Sequence, residues 1–131
     1  MKKFVTLVAS LLFAASAFAG ASTKVTDISQ SQLQAAIAAK SAVILDVNGS
    51  DSYKAGHIPG AIDYIANKKQ IASMLPADKN ALVVAYCASP SCGAYAAAAN
   101  AAVKLGYTNV KHFAPGIEGW KESGAPIEKA N

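Results

Sequence analysis

The fold of this chain is decided by residues 80–93, which read NALVVAYCASPSCG. The stretch opens with a short, apolar and partly β-branched run, which is typical of a buried strand. Small turn-forming residues surround and follow Cys87, and residues 94–105 then predict an Ala-rich helix that ends at Gly106. A thiol in such a strand–loop–helix turn faces the positive end of a helix, which favours the thiolate and offers N–H groups to anions. We therefore predict that Cys87 is reactive, while a purely structural role for it stays open.

Predicted helices and strands alternate through the rest of the chain. The predicted strands cover residues 24–26, 42–45 and 109–113, and the predicted helices cover residues 29–39, 50–55, 66–75 and 116–122. Ser29 and Gln32 have the spacing of a capping box at the start of the first helix. Strands that are apolar throughout and alternate with helices indicate an α/β fold, with a parallel sheet covered by helices. Ligands bind at the carboxyl ends of the strands in such sheets, and Cys87 lies at such an end.

Residues 1–19 have the layout of a secretory signal peptide. Lys2 and Lys3 precede a mostly apolar run, and residues 17–19 match a small-x-small cleavage site. We expect cleavage near Ala19, leaving residues 20–131 as a single domain in the periplasm or outside the cell. The alternative is a membrane anchor, but the apolar run is short for a hydrocarbon core of about 30 Å. Because exported proteins meet an oxidising environment, the two cysteines of the chain are able to form a disulfide there.

The charged residues exclude several kinds of site. The net charge is +4, and all 12 cationic side chains are scattered lysines, so we do not expect nucleic acid as a partner. Without arginine, no guanidinium group can hold an oxyanion, and anion binding falls to backbone amides, hydroxyl groups or a lysine. The same absence argues against a cysteine phosphatase. Two neighbouring cysteines and two distant histidines lack the spacings of a structural zinc site, so we expect no metal and no cofactor.

Several segments resemble the rhodanese-like family of sulfurtransferases, and they occur in the order that the family shows. The segments are ILDVN at 44–48, similar to a strand ending in D-V-R; YKAGHIPGAI at 53–62, similar to E-Y-x-x-G-H-I-P-G-A; VAYC at 84–87, similar to the strand before the catalytic cysteine; and LGYTNV at 105–110 with PGIEGW at 115–120, similar to the family's last motif. The resemblance covers nearly all of residues 20–131. It implies a rhodanese-like three-layer α/β/α fold with a central, mostly parallel sheet.

The resemblance also implies a reaction. In the family, a sulfane sulfur moves from a donor such as thiosulfate or a persulfide to a catalytic cysteine, and from its persulfide to a thiol or cyanide acceptor; this role falls on Cys87. The implied substrate-binding loop consists of Ala88, Ser89, Ser91, Gly93 and Ala94. Asp46 and His57 are implied as supporting residues. The expected partners are therefore a small sulfur donor and a thiophilic acceptor, with no nucleic acid, no membrane after signal cleavage and a monomeric protein.

The chain departs from the family pattern at three positions that bear on the site. Asn48 stands in place of the arginine of D-V-R, Pro115 in place of the first glycine of the last motif, and Cys92 in place of the arginine of the active loop. The loop instead resembles exported rhodanese-like domains with two cysteines separated by four residues. Three interpretations of Cys92 stay open: it resolves a persulfide on Cys87, it forms a resting disulfide with Cys87, or it fills the space of the arginine.

Two alternative functions follow from Cys92. The chain is either a thiol–disulfide or persulfide-reducing protein that uses Cys87 and Cys92, or a binding module that kept the fold without the reaction.

Among the remaining side chains, we expect His57 to fix its turn by hydrogen bonds, with Asp46 as a partner, and His112 to have no role. Tyr95 either lines the mouth of the site or packs on the sheet, and Trp120 is expected in the core.

Overall fold

The structure is a computed structural model that describes residues 23–131, so the predicted signal peptide at residues 1–19 lies outside the described residues. The strands are β1 (Thr26–Asp27), β2 (Ala42–Asp46), β3 (Ile62–Asp63), β4 (Leu82–Tyr86) and β5 (Asn109–Phe113). The helices are α1 (Gln30–Ala38), α2 (Ser50–Ala55), α3 (Tyr64–Asn67), α4 (Ile71–Met74), α5 (Tyr95–Lys104) and α6 (Gly116–Glu122). None of the helices in this part of the chain is both long and apolar enough to cross a membrane.

The strands form one sheet in the order β1-β5-β4-β2-β3, and each neighbouring pair runs parallel. The central strand is β4, whose Val84 pairs with Ile44 of β2 on one side and with Lys111 of β5 on the other. The α/β fold with a central parallel sheet is therefore confirmed. The short strand β3 was not predicted, because two residues give no periodic pattern.

Helices cover both faces of the sheet. Helices α3, α4 and α5 pack on the face that carries Val83, Ala85 and Cys87. Helices α1 and α6 pack on the opposite face, which carries Val84 and Tyr86. Because side chains alternate along β4, Cys87 belongs to the layer of α5, while the preceding Tyr86 points into the layer of α6.

The predictions for α1 and for Trp120 are confirmed. The Ser29 hydroxyl accepts from the Gln32 amide at 3.2 Å, and the Ser29 amide donates to Gln32 Oε1 at 3.1 Å, which completes the capping box. Trp120 is 1% exposed and packs edge-to-face against Phe113, with 5.9 Å between the ring centroids. The Trp120 indole N–H donates to the carbonyl of Pro126 at 2.8 Å, so the ring buries its apolar surface without leaving its donor unpaired.

The prediction of one helix over residues 66–75 is wrong, because the segment forms two short helices, α3 and α4. Asp63 begins α3 earlier than predicted by accepting from the amide of Ala66 at 3.1 Å. After α3, the Gln70 amide donates to the carbonyl of Asn67, and the Gln70 side chain donates to Asn67 Oδ1 at 2.8 Å. These local hydrogen bonds satisfy polar groups that a continuous helix would have paired along its axis.

A buried hydrogen-bond network joins three segments near the carboxyl edge of the sheet. The Tyr86 hydroxyl at the end of β4 donates a hydrogen bond to Asp46 Oδ2 at the end of β2. The same hydroxyl accepts from the amide of Ile58 at 3.1 Å, in the turn that follows α2. Burial raises the pKa of Asp46, although the hydrogen bonds from Tyr86 and from the Asn48 amide act in the opposite direction. Burial and the neighbouring Asp46 also raise the pKa of Tyr86, which therefore stays a neutral donor.

Replacement of Tyr86 tests this network. In Tyr86→Phe, the buried Asp46 carboxyl and the Ile58 amide both lose their partner, and we expect the free energy of unfolding to fall by about 1–3 kcal/mol in urea denaturation. The matched control is Tyr64→Phe, because the Tyr64 hydroxyl makes a single, longer bond of 3.4 Å to the Ala97 carbonyl. Equal losses in the two variants would contradict the importance of the network.

Candidate functional site

Cys87 lies directly after the central strand, at the carboxyl edge of the sheet. It is 2% exposed and packs in the cluster that also contains Ala85 and Ala98, and Cys92 is partly buried against the same cluster. The two cysteines form a disulfide, with 6.1 Å between their Cα atoms. This bond is common to two of the three interpretations of Cys92, the resting disulfide and the product of persulfide resolution, and it does not choose between them. In this oxidised form neither sulfur is available as a thiolate nucleophile.

The loop between the cysteines closes on itself. The Cys92 amide donates to the Ser89 carbonyl at 3.1 Å across Pro90 and Ser91, and the Ser89 and Ser91 hydroxyls lie 3.1 Å apart. Within the described residues, five amides around this turn donate to no acceptor: those of Ala88, Ser89, Ser91, Gly93 and Ala94. These are the residues that sequence comparison assigned to the substrate-binding loop, together with the start of α5. They provide unpaired N–H donors beside the cysteine pair.

Helix α6 supports the base of this loop. The amide of Ile117 donates to the Cys87 carbonyl at 3.0 Å, and the amide of Glu118 donates to the Ala88 carbonyl at 2.9 Å. Gly116 has a φ of +66° and lies so close that an added Cβ would stand 2.5 Å from the Ala88 carbonyl oxygen and 2.7 Å from that of Cys87. Only glycine allows this approach, so the first turn of α6 fixes the carbonyl groups on either side of the Cys87–Ala88 peptide.

The end of β2 contributes Asp46 and Asn48. Asp46 Oδ1 accepts from the Asn48 amide at 2.8 Å, while its other oxygen accepts from Tyr86, the residue before Cys87. Asp46 therefore supports the site through the backbone of β4, as a positioning residue. The Asn48 side chain stands at the position of the family's arginine, beside the Asp46 carboxyl, and acts against the rise in the pKa of that carboxyl. Its Nδ2 atom is buried, so an anion in solvent does not reach it.

His57 does fix a turn by hydrogen bonds, but the expected pairing with Asp46 is wrong. Nδ1 of His57 lies 2.7 Å from the Tyr53 carbonyl, and the two rings stack with 3.7 Å between centroids. Nε2 lies 3.6 Å from Glu128 Oε2, and the His57 and Glu128 backbones exchange hydrogen bonds of 2.9 Å. The C-terminal segment takes the place of Asp46 because Asp46 is already occupied by Tyr86 and Asn48. His57 thus holds the C-terminal segment against the turn after α2.

His112 lies in β5, within the strand predicted over residues 109–113. It is 8% exposed, and its ring stacks on Tyr95 with 3.4 Å between centroids and 7° between planes. Its Nδ1 lies 3.4 Å from Asp27 Oδ1 in β1. Burial lowers the pKa of His112, and Asp27 opposes that shift in part. Tyr95, for which two positions were open, therefore packs on the sheet through His112.

The comparisons with known proteins give the family. The model of the rhodanese-like domain matches residues 29–123. This chain belongs to the rhodanese-like family. Among solved rhodanese-like structures, the BH2092 protein from Bacillus halodurans is 27% identical with a TM-score of 0.60, over 82% of this chain and 77% of that one. The thiosulfate sulfurtransferase from Pseudomonas aeruginosa is 25% identical with a TM-score of 0.63, over 82% of this chain and 21% of that one.

A curated relative shares part of this sequence. The HTH-type transcriptional regulator Rv0324 from Mycobacterium tuberculosis is 34% identical over 90 residues, which is 66% of this chain and 37% of the relative. The rhodanese-like chain thus spans little more than a third of the length of that relative.

Within residues 23–131, no group of three His, Cys, Asp or Glu side chains is arranged to hold a metal ion.

The contact between α6 and the Cys87 loop can be tested at Gly116. In Gly116→Ala, the new methyl group would meet the carbonyls of Cys87 and Ala88, so the first turn of α6 must withdraw. We expect the free energy of unfolding to fall by about 3 kcal/mol and the amide NMR signals of the loop to shift. Gly124→Ala is the matched control, because Gly124 has a φ of +77° with no atom within 4 Å of the added Cβ. A loss no larger than that of the control, about 1 kcal/mol, would show that the close approach is unimportant.

Proposed function

We propose that this protein is a sulfurtransferase that carries a sulfane sulfur as a persulfide on Cys87. The observation that carries the proposal is the position of Cys87 at the carboxyl end of the central strand, followed by unpaired loop amides and the start of α5. A thiolate there would attack the outer sulfur of a donor, form a new S–S bond and expel the remainder as an anion such as sulfite. The persulfide would then pass its outer sulfur to a thiol or to cyanide.

Turnover requires that the disulfide first be opened. Cys92 is the more accessible of the two cysteines, since Cys87 is 2% exposed. Attack by an external thiol on the Cys92 sulfur forms a mixed disulfide there and releases Cys87 as a thiolate, the leaving group of the exchange. A second thiol of the reductant then frees Cys92, with oxidation of the reductant to its own disulfide. A dithiol supplies both thiols of this exchange in one molecule, and the predicted export of the chain suits an enzyme that rests in the oxidised form.

Neutral hydrogen-bond donors would stabilise the negative charge on sulfur in this site. Burial of Cys87 disfavours a thiolate, but the loop amides and the positive end of α5 act in its favour. Because the chain has no arginine, a dianion such as thiosulfate would be held without a guanidinium group, by loop amides, hydroxyl groups or a lysine. We accordingly propose that the sulfur donor is a small molecule that binds weakly. A persulfide is the alternative to thiosulfate as this donor.

A second candidate function follows from the disulfide itself. If Cys92 attacks the inner sulfur of the Cys87 persulfide, the Cys87–Cys92 bond forms and hydrosulfide leaves. Each cycle would then consume one donor and one external dithiol, and the protein would be a persulfide-reducing enzyme. The Cα separation of 6.1 Å favours this candidate because it lies within the range in which two cysteines bond without backbone movement.

The sulfurtransferase proposal predicts sulfur loading that depends on reduction. Wild-type protein, reduced with a dithiol, freed of it and incubated with thiosulfate, should gain the mass of one sulfur atom and lose it to cyanide as thiocyanate. Protein kept oxidised should gain nothing, because its Cys87 thiolate is absent. Intact-mass spectrometry gives the readout. Cys87→Ser is the variant that must not load, and Cys92→Ser is the matched control that removes the other sulfur of the same loop.

Loading of Cys87→Ser to the wild-type level would refute the nucleophile assignment. If no sulfane donor, including an alkyl persulfide, loads the reduced wild type, the sulfurtransferase proposal falls altogether.

The two candidate functions differ in the fate of the persulfide. If Cys92 resolves it, Cys92→Ser should hold the loaded sulfur at least about tenfold longer than wild type, since the attacking thiol is missing. Wild type should meanwhile release hydrosulfide without any added acceptor. The measurement is the decay of the loaded mass after removal of the donor. An equal lifetime in both proteins would exclude Cys92 as the resolving residue and leave sulfur transfer to an external acceptor.

A further inference from the structure

The buried side chain of His112 has a nitrogen atom that the fold does not use. Nε2 of His112 is fully buried and has no hydrogen-bond partner among the residues described. An unpaired polar atom in the interior destabilises the fold, so such atoms are uncommon in stable proteins. Apolar side chains would fill this position at no such cost, as Val110 does two residues earlier on the same face.

Asp27 determines which nitrogen of His112 carries the proton. Its Oδ1 lies 3.4 Å from Nδ1, and since a carboxylate only accepts hydrogen bonds, Asp27 favours the neutral tautomer that carries its proton on Nδ1. The backbone keeps the two residues together, since Asp27 pairs with His112 in the sheet and the Ile28 amide donates to the His112 carbonyl at 3.0 Å. Nε2 is therefore the nitrogen with a free lone pair, in the form that accepts a proton.

The ring of His112 lies on the same side of the sheet as the cysteine pair. His112 pairs with Ala85, and Cys87 follows Ala85 by two residues, so all three side chains point to the face covered by α5. The stacked Tyr95 is the first residue of α5, three positions after Cys92, and both pack against the cluster that contains Cys87. The imidazole is thus held against the element that begins at the end of the reactive loop.

We propose that His112 is the proton acceptor of the reduced cysteine pair, with Asp27 fixing its tautomer. On reduction, the S–H bond of one thiol breaks, its proton forms an N–H bond with Nε2, and a thiolate faces an imidazolium. This inference rests on the proposed function, because it assigns the base that ionises the thiol of that same site. It replaces the expectation that His112 has no role.

The groups around the ring suit this proton transfer. Asp27 from β1 is the one carboxylate paired with the ring, and Tyr95 from α5 presents its aromatic face. The neighbouring strand β4 contributes Ala85, and Lys111 of β5 directs its ammonium group to the Thr26 hydroxyl at 2.6 Å. In the oxidised protein no thiol is available to protonate Nε2, and burial keeps the pKa of His112 low. Reduction supplies the missing proton donor, and the resulting thiolate would stabilise the imidazolium.

The test is the NMR titration of His112 in the oxidised and in the dithiol-reduced wild-type protein. We expect a midpoint below about 6.5 in the oxidised protein and a clear rise on reduction. Asp27→Asn should diminish the rise, whereas Asp51→Asn, which removes a charge from the exposed first turn of α2, should leave it unchanged.

A second readout is the pH dependence of alkylation at Cys87 in reduced protein, mapped by mass spectrometry. His112→Gln should slow the reaction about tenfold near pH 7, because the thiol loses its proton acceptor. Identical His112 midpoints in the oxidised and reduced proteins would overturn the proposal, even if sulfur still loads on Cys87. A midpoint that rises in a protein that loads no sulfur would uphold the proton acceptor and refute the sulfurtransferase.

Discussion

The hydroxyl group of Tyr86 is the contact on which the arrangement of the site depends. It donates to the buried carboxyl of Asp46 and accepts from the amide of Ile58, so one atom joins the ends of two strands and the turn after α2. The next residue is Cys87, whose side chain points to the opposite face of the sheet. Contacts in the layer of α1 and α6 thereby fix the backbone of β4. The cysteine that follows this strand points into the opposite layer, which contains α5. Helix α6 adds to this by binding the carbonyl groups of Cys87 and Ala88.

The absence of arginine gives this site a different electrostatic character from one built on a guanidinium group. Charge on sulfur would be met by amide dipoles of the loop, by the start of α5 and by protonated His112, each of which is fixed in place by the fold. Where the family has the arginine of its active loop, Cys92 supplies a second sulfur instead. A fixed positive charge is thus exchanged for a group whose chemistry depends on redox state. The proposed activity of Cys87 would therefore depend on a thiol reductant.

The sequence predicted those parts of the structure that local patterns determine. The bounds of β5 and α6, the capping box of α1 and the position of Cys87 after the central strand all follow from hydrophobic runs and turn residues. The division between α3 and α4 did not follow, because it depends on side-chain hydrogen bonds of Asp63, Asn67 and Gln70 that a periodic pattern does not reveal. The contact between His112 and Asp27 could not be predicted either. These residues are neighbours only because β1 pairs with β5, and the sequence does not reveal the order of the strands. In the same way, His57 pairs with a C-terminal glutamate rather than with Asp46.

The most direct test of the account locates the transferred sulfur on one residue. Reduced wild-type protein is incubated with a sulfane donor, its thiols and persulfides are trapped by alkylation, and its peptides are sequenced by tandem mass spectrometry. We predict an extra sulfur on Cys87, none on Cys92, and the Cys87–Cys92 disulfide without added sulfur in protein that was never reduced. Sulfur on Cys92 alone, or on neither cysteine with every donor, would contradict it.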